Sequence, residues 1–117
     1  REVNPGLVYA SITGYGDSDD LRGPYSDWPA NNPSVQGMAG WMEVTGAPGG
    51  PPQMVGDNIG DSVPGVWAAL GIVLALETRR KTGKGQHVDM AMLIGEFVDS
   101  CGGRVPVDVD EPVGLAR

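Results

Sequence analysis

Apolar residues occur along the chain in short runs separated by polar, glycine-rich stretches, and the spacing within each run predicts its local structure. Leu7 to Thr13 (LVYASIT) is apolar and β-branched and lies between Asn4-Pro5-Gly6 and Gly14-Tyr15-Gly16, which reads as a buried strand. Asp17 to Pro33 is polar, carries three prolines and shows no period. It reads as a long loop, of the kind that serves function in compact domains. Ser34 is placed to cap a short helix whose apolar positions Val35, Met38, Ala39 and Met42 recur at helical spacing, with Gly46 as its stop. Ala47 to Pro52 breaks regular structure, and Gly56-Asp57-Asn58 turns the chain.

The longest helix is expected to start at Asp61 or Ser62, with Pro64 tolerated in a first turn that does not need its N–H. Nearly every position from Val66 to Leu76 is apolar, which predicts a helix buried on most sides. The run Glu77 to Thr82 places cations at the negative end of the helix dipole, and Gly83 supplies a left-handed stop. Gln86 to Met90 alternates as a second strand, and Leu93 to Ser100 suits a further helix. The order β, loop, α, α, β, α is a piece of an α/β fold. Residues 1–101 hold all of these elements. Residues 102–117 alternate Val and Asp with two prolines and read as an irregular or disordered tail.

Composition narrows the function classes. With 117 residues, 19 Gly and 10 Pro, the chain makes one domain at most, with short elements and long loops. A formal charge of -7 argues against nucleic-acid and anionic-membrane partners, which need clustered Lys and Arg. The basic bunch Arg79, Arg80, Lys81 and Lys84 is the only candidate for a local anion site, and its place at a helix carboxyl end accounts for it without a ligand. One cysteine, Cys101, and one histidine, His87, make neither an internal disulfide nor a four-ligand zinc site, so no metal is expected. No signal peptide opens the chain. The apolar stretch from Val63 to Leu76 is interrupted by Pro64, Gly65 and Gly71 and is too short to span a bilayer, so the expectation is a cytoplasmic protein. The chain begins with Arg1, so it is a processed product, a trimmed chain or a piece of something longer.

Among residues able to do chemistry, the glycine clusters come first. Gly14-Tyr15-Gly16 lacks the third glycine and following helix of a dinucleotide fingerprint, and Gly83-Lys84-Gly85 follows a helix where a phosphate loop precedes one. Both read as turns. Ser11, Ser26 and Ser62 have no histidine in a suggestive place, because His87 lies in a strand pattern, so a Ser-His-Asp triad is not expected. Asp57 and Asp61 are more informative. Gly56 and Gly60 allow a ligand close to the backbone, and Asp61 stands where a helix amino terminus keeps a carboxylate ionised and nucleophilic. The alternative is that Asp61 is simply the helix N-cap.

One further observation comes from order. Asn4-Pro5-Gly6-Leu7-Val8-Tyr9-Ala10-Ser11-Ile12-Thr13-Gly14-Tyr15-Gly16, Gly23-Pro24-Tyr25, Gln36-Gly37-Met38-Ala39-Gly40, Thr45-Gly46, Gly50-Pro51-Pro52, Gly60-Asp61 and Thr82-Gly83-Lys84-Gly85-Gln86-His87-Val88-Asp89 follow one another in a sequence that resembles the class III CoA-transferase family. That family also holds formyl-CoA and carnitinyl-CoA transferases and α-methylacyl-CoA racemases. The resemblance covers about Asn4 to Leu93 and implies a Rossmann-like fragment from the middle of the family's large domain. It implies the family's activity, in which CoA moves from an acyl-CoA to a carboxylic acid through an aspartyl anhydride and an aspartyl-CoA thioester. The CoA thioester is then a substrate, with no prosthetic group. The family's catalytic aspartate falls on Asp61, beside Gly60, and Gly14, Tyr15 and Gly16 fall where the loop after the first strand meets CoA. Racemases pair the aspartate with a histidine that falls on Asn31, and asparagine is no general base, so a transferase is preferred over a racemase. The acidic residue many transferases carry next to it falls on Asn32. Family members are longer and form interlocked dimers, so a homodimer or higher oligomer is expected. A non-catalytic remnant acting as an oligomeric or interaction module is the competing reading.

Overall fold

The computed structural model describes residues 3–17 and 22–93. Within them run β1 (Tyr9–Thr13), α1 (Asn32–Met38), α2 (Trp41–Val44), α3 (Ile59–Thr82) and β2 (His87–Ala91). The two strands pair in parallel, with Tyr9 opposite His87 and Thr13 opposite Ala91, and the helices lie in the connection between them. This is a partial α/β fold of the kind the element order predicts. The helix expected from Leu93 to Ser100, apart from Leu93 itself, the residue Cys101 and the tail 102–117 lie outside the described residues.

Both strands are displaced slightly from their sequence ranges. Leu7 and Val8 lead into β1 through a turn closed by the Leu7 N–H on the Asn4 carbonyl (3.1 Å), while β2 gains Ala91 and loses Gln86. Where the two strand entries cross, Gly85 donates to the Pro5 carbonyl (2.8 Å), and a Cβ on Gly85 would collide with the Leu7 carbonyl. Gly83 has φ +74 and its N–H returns to the Arg79 carbonyl at 2.8 Å, the expected left-handed cap. The glycines of Thr82-Gly83-Lys84-Gly85 are therefore accounted for by a helix stop and a close backbone crossing.

The expected helix from Ser34 to Gly46 is two helices. Asn31 is the N-cap of α1 and Ser34 its reciprocal partner in a capping box: Asn31 Oδ1 accepts from the Ser34 N–H (3.0 Å), and the Asn31 N–H donates to Ser34 Oγ (3.1 Å). Gly40, at φ +83, ends that segment and opens α2.

Four expectations for α3 are corrected. The helix begins at Ile59 with Asn58 at the N-cap, so Asp61 lies in the first turn and is not the cap. Pro64 therefore sits inside the helix, beyond the first turn, and has no N–H to return to the Gly60 carbonyl. The helix is also not buried on most sides by the described residues. Its buried positions, Gly60, Pro64, Ala68, Gly71 and Ala75, form one strip of small residues, whereas Val66 and Val73 are 70% and 61% exposed and Leu70 and Leu74 about half exposed. The small strip has a reason: a Cβ on Gly71 would come within 2.7 Å of Val88 Cγ1, so the helix lies closer to β2 than any side chain allows. The helix is 24 residues, long and apolar enough by length and composition to cross a membrane, contrary to the shorter apolar stretch read from its interruptions.

Candidate functional site

Asp61 is exposed in the first turn of α3, and its own N–H is bonded to the Asn58 carbonyl at 3.0 Å. Its carboxylate stands at the positive end of a 24-residue helix dipole. The residue before it is held from outside the helix. The Gly60 N–H donates to Asn32 Oδ1 on α1 at 2.9 Å, doing from a neighbouring helix what Asn58 does not do with its own side chain. Only glycine fits at residue 60, because a Cβ there would lie 2.9 Å from Asn32 Oδ1, 3.0 Å from Val35 Cγ2 and 3.1 Å from Asn32 Cα.

The loop leading to Asp61 is tied to the same helix. Gln36 Oε1 accepts from the Val55 N–H (2.9 Å), and Gln36 Nε2 donates to Asn32 Oδ1 (2.8 Å) and the Asp57 carbonyl (3.4 Å). Asn32 Nδ2 reaches Asn58 Oδ1 at 3.4 Å. The Asp57 carboxylate turns onto the next peptide, accepting from the Asn58 N–H at 2.7 Å. A Cβ on Gly56 would meet nothing within 4 Å, so the loop is open on that side.

The structure thus brings Asp61, Gly60 and Asn32 together, with Asn31 one residue away as the α1 cap. Asn32 is buried at 7% exposure and its oxygen takes two donors from within the chain. Gly14, Tyr15 and Gly16 follow β1 as a turn in which the Gly16 N–H donates to Thr13 Oγ1 (3.0 Å) and Gly16 takes φ +91. Gly14 lies flush against Ala30, where a Cβ would collide, so this turn abuts the segment entering α1. The Tyr15 ring is buried and lies 6.0 Å from Tyr25, which meets Trp28 edge-on at 5.0 Å.

Two features were not foreseen. Gln36 has no exposed surface, and the signal for it was the spacing of two amide side chains, Asn32 and Gln36, one helical turn apart. The second corrects the reading of Ser11. On the sheet face turned away from Val88 and Gly71, Ser11 Oγ lies 2.8 Å from His87 Nε2 and donates to Asp89 Oδ1 at 3.3 Å, and the Tyr9 ring lies 4.9 Å from the imidazole. Parallel register makes the contact, since Ser11 is opposite Asp89 and two residues along β1 from Tyr9, whose partner is His87. The order is not that of a triad. Serine stands between histidine and carboxylate, so Asp89 bonds the serine itself and not the far nitrogen of the imidazole, and which neighbour takes the serine proton depends on the His87 tautomer.

The basic cluster is occupied by a local partner. Arg80 and Lys81 pair with Glu77 at 2.8 and 3.3 Å, and Arg79 donates to the Gly6 carbonyl at 3.3 Å. The Arg80 guanidinium, and after it the Lys81 ammonium, hold the Glu77 carboxyl below its ordinary range, and the same pairing raises Arg80. Among the described residues no group of three or more His, Cys, Asp or Glu is arranged to hold a metal ion.

The sequence profile of CoA-transferase family III matches residues 1–98. The chain is 48% identical over 92 residues to the formyl-CoA:oxalate CoA-transferase of Streptomyces avermitilis, covering 79% of this chain and 21% of that protein. It is 42% identical over 93 residues to the succinate–glutarate CoA-transferase of Agrobacterium fabrum, covering 80% and 22%. Among solved structures, a CAIB/BAIF family protein from Brucella suis superposes with a TM-score of 0.75 at 35% identity over 87% of this chain and 28% of that one. The chain spans about a fifth of the length of the curated relatives it matches.

Proposed function

The chain belongs to CoA-transferase family III, and from that premise we propose that it carries the nucleophile for moving CoA from an acyl-CoA thioester to a carboxylic acid. The observation that carries this reading is the exposed Asp61 carboxylate at the amino end of α3, next to a peptide that α1 holds in place. The names of the relatives support the substrate class: they act on oxalate and glutarate, both carboxylic acids.

An Asp61 oxygen attacks the thioester carbonyl, the C–S bond breaks, and CoA leaves as the thiolate with an aspartyl mixed anhydride behind it. The thiolate then attacks the Asp61 carbonyl, releasing the donor carboxylate and leaving an aspartyl-CoA thioester. The acceptor carboxylate attacks that thioester, giving a second anhydride and thiolate. Attack of the thiolate on the acceptor carbonyl forms the new acyl-CoA and frees Asp61. No net proton or electron is needed, and the only cofactor-like group is the substrate's own CoA. In this reading the Gly14-Tyr15-Gly16 turn, which abuts Ala30, faces the CoA side, with Asn31 and Asn32 at the border.

A racemase would need a base at Asn31, whose carboxamide instead caps α1. The apolar outer face of α3 supports the expected self-association, and light scattering across a dilution series measures it.

The test is intact mass after incubation with formyl-, acetyl- and succinyl-CoA, with borohydride trapping and Asp61→Asn in parallel. We expect an adduct that maps to Asp61 in the native chain and is absent in the variant. No adduct with any thioester would replace this reading with the non-catalytic one.

A further inference from the structure

We infer that Gln36 is a positioning residue for the Asp61 carboxylate, acting through the backbone that enters α3. The inference rests on the reading of Asp61 as nucleophile and adds to it the part that holds that nucleophile in place.

Gln36 has no exposed surface, and a buried carboxamide is costly unless every polar atom finds a partner. Here both ends do, and the partners are concentrated on one short segment. The Oε1 takes the Val55 N–H, and the Nε2 reaches the Asp57 carbonyl and Asn32 Oδ1. Asn32 Oδ1 in turn takes the Gly60 N–H. The chain of bonds therefore fixes the segment at residues 55, 57 and 60, and three points determine both its position and its tilt. Asp61 is the next residue. Apart from these, the segment is tied by Asn32 Nδ2 on Asn58 Oδ1 and by the Asp57 carboxylate on the Asn58 N–H, while Val55, Asp57 and Asn58 are half-buried or exposed.

A methionine in place of Gln36 would fill the same space more cheaply, so space-filling alone does not explain a glutamine. The amide is needed because it both accepts from residue 55 and donates toward residues 57 and 32. Attack by a carboxylate on a thioester carbonyl depends on a near-attack geometry, and a displacement of about 1 Å costs on the order of a hundredfold in rate.

The experiment uses the full chain with Gln36→Met and Gln36→Glu. Methionine keeps the volume and removes every bond. Glutamate keeps the acceptor for Val55 and sets an oxygen against the Asn32 oxygen. Three quantities are read: the single-turnover rate of adduct formation on Asp61 with succinyl-CoA, the affinity for CoA itself, and hydrogen exchange at individual amides. We expect both variants to form the adduct roughly ten- to a hundredfold more slowly. We also expect unchanged CoA affinity, faster exchange at Val55 and Gly60, and unchanged protection in β1 and β2. An adduct rate within about threefold of the native chain overturns the inference, since such a change is under 1 kcal/mol. So does loss of protection throughout the sheet, which would make Gln36 a general folding residue. If the native chain forms no adduct, the nucleophile reading fails separately. The exchange arm then still decides: faster exchange confined to residues 55–60 supports the holding role, and unchanged exchange there overturns it.

Discussion

Two alanine substitutions in the same helix should shift stability in opposite directions. Gly65→Ala places a methyl group where nothing lies within 4 Å, so it should gain helix propensity without a clash, about 0.5–1 kcal/mol. Gly60→Ala gains at most the same propensity, but its Cβ lands 2.9 Å from Asn32 Oδ1, 3.0 Å from Val35 Cγ2 and 3.1 Å from Asn32 Cα. Carbon atoms pack at about 3.5–4.0 Å, so α1 and α3 must separate by several tenths of an ångström. Val35 is fully buried and Asn32 nearly so, leaving neither an easy retreat. Overpacking of this kind costs about 1–3 kcal/mol, and the strained Gly60 to Asn32 hydrogen bond adds about 1 kcal/mol. Net of propensity, Gly60→Ala should be destabilised by about 1–3 kcal/mol and should lie about 2–4 kcal/mol below Gly65→Ala. Urea unfolding followed by far-ultraviolet circular dichroism measures this, and the two midpoints should differ by about 1–2 M. Equal midpoints, or a lower one for Gly65→Ala, would refute the account of why residue 60 is glycine.

Other expectations follow from the same contacts. Asn32→Leu removes the acceptor shared by the Gly60 N–H and Gln36 Nε2, strands two donors in a buried place and should cost about 2–4 kcal/mol in the same unfolding assay; a loss below 1 kcal/mol counts against it. Glu77 titrates below its ordinary value of 4.5 because of Arg80 and then Lys81. A carboxyl lowered in the folded chain adds stability that is present above its unfolded value and lost as pH falls through the lowered one. Arg80→Ala should therefore move the Glu77 carboxyl resonance titration up toward 4.5, and high salt should do part of the same; no movement would contradict the pairing. A fluorophosphonate probe should leave Ser11 unlabelled, since Asp89 bonds the serine itself instead of orienting the His87 ring beside it, whereas labelling would show an activated serine.

The elements that local chemistry determines were legible. Gly83 ends α3 as a glycine after a cationic turn should, and the alternating Gln86 to Met90 run became β2 with a shift of one residue. Boundaries failed where a partner distant in sequence decides them. Asn58 before Ile59 is a residue type that starts helices, but its side chain makes no cap bond, and the donor at Gly60 is satisfied by Asn32, 28 residues earlier. Ser34 looked like a cap and is the other half of one, because Asn31 three residues before it takes that place. The apolar run of α3 showed how much of the helix avoids water but not which face the sheet takes, and the answer lay in its small residues. Ser11 and His87 are 76 residues apart, and only the strand register brings them to 2.8 Å. Gln36 was visible as a letter but not as a buried one, since burial of an amide is decided by the loop that folds over it.

Helix α3 can also be considered as a lever. Gly71 seats it against Val88, and Asp61 lies ten residues toward the amino end, about 15 Å along the axis at 1.5 Å per residue. With that contact as the only pivot, a swing of about two degrees would carry the carboxylate roughly 0.5 Å, the tolerance that a reactive group allows. A long arm fixed at its middle amplifies small angular play at its tip. The contact of Gly60 with Asn32 and Val35, one residue from the tip, supplies a second bearing and converts the swing into a much smaller translation. Changes near Gly71 and changes near Gly60 should thus alter the tip in different ways, the first by tilting a still-anchored arm and the second by releasing it.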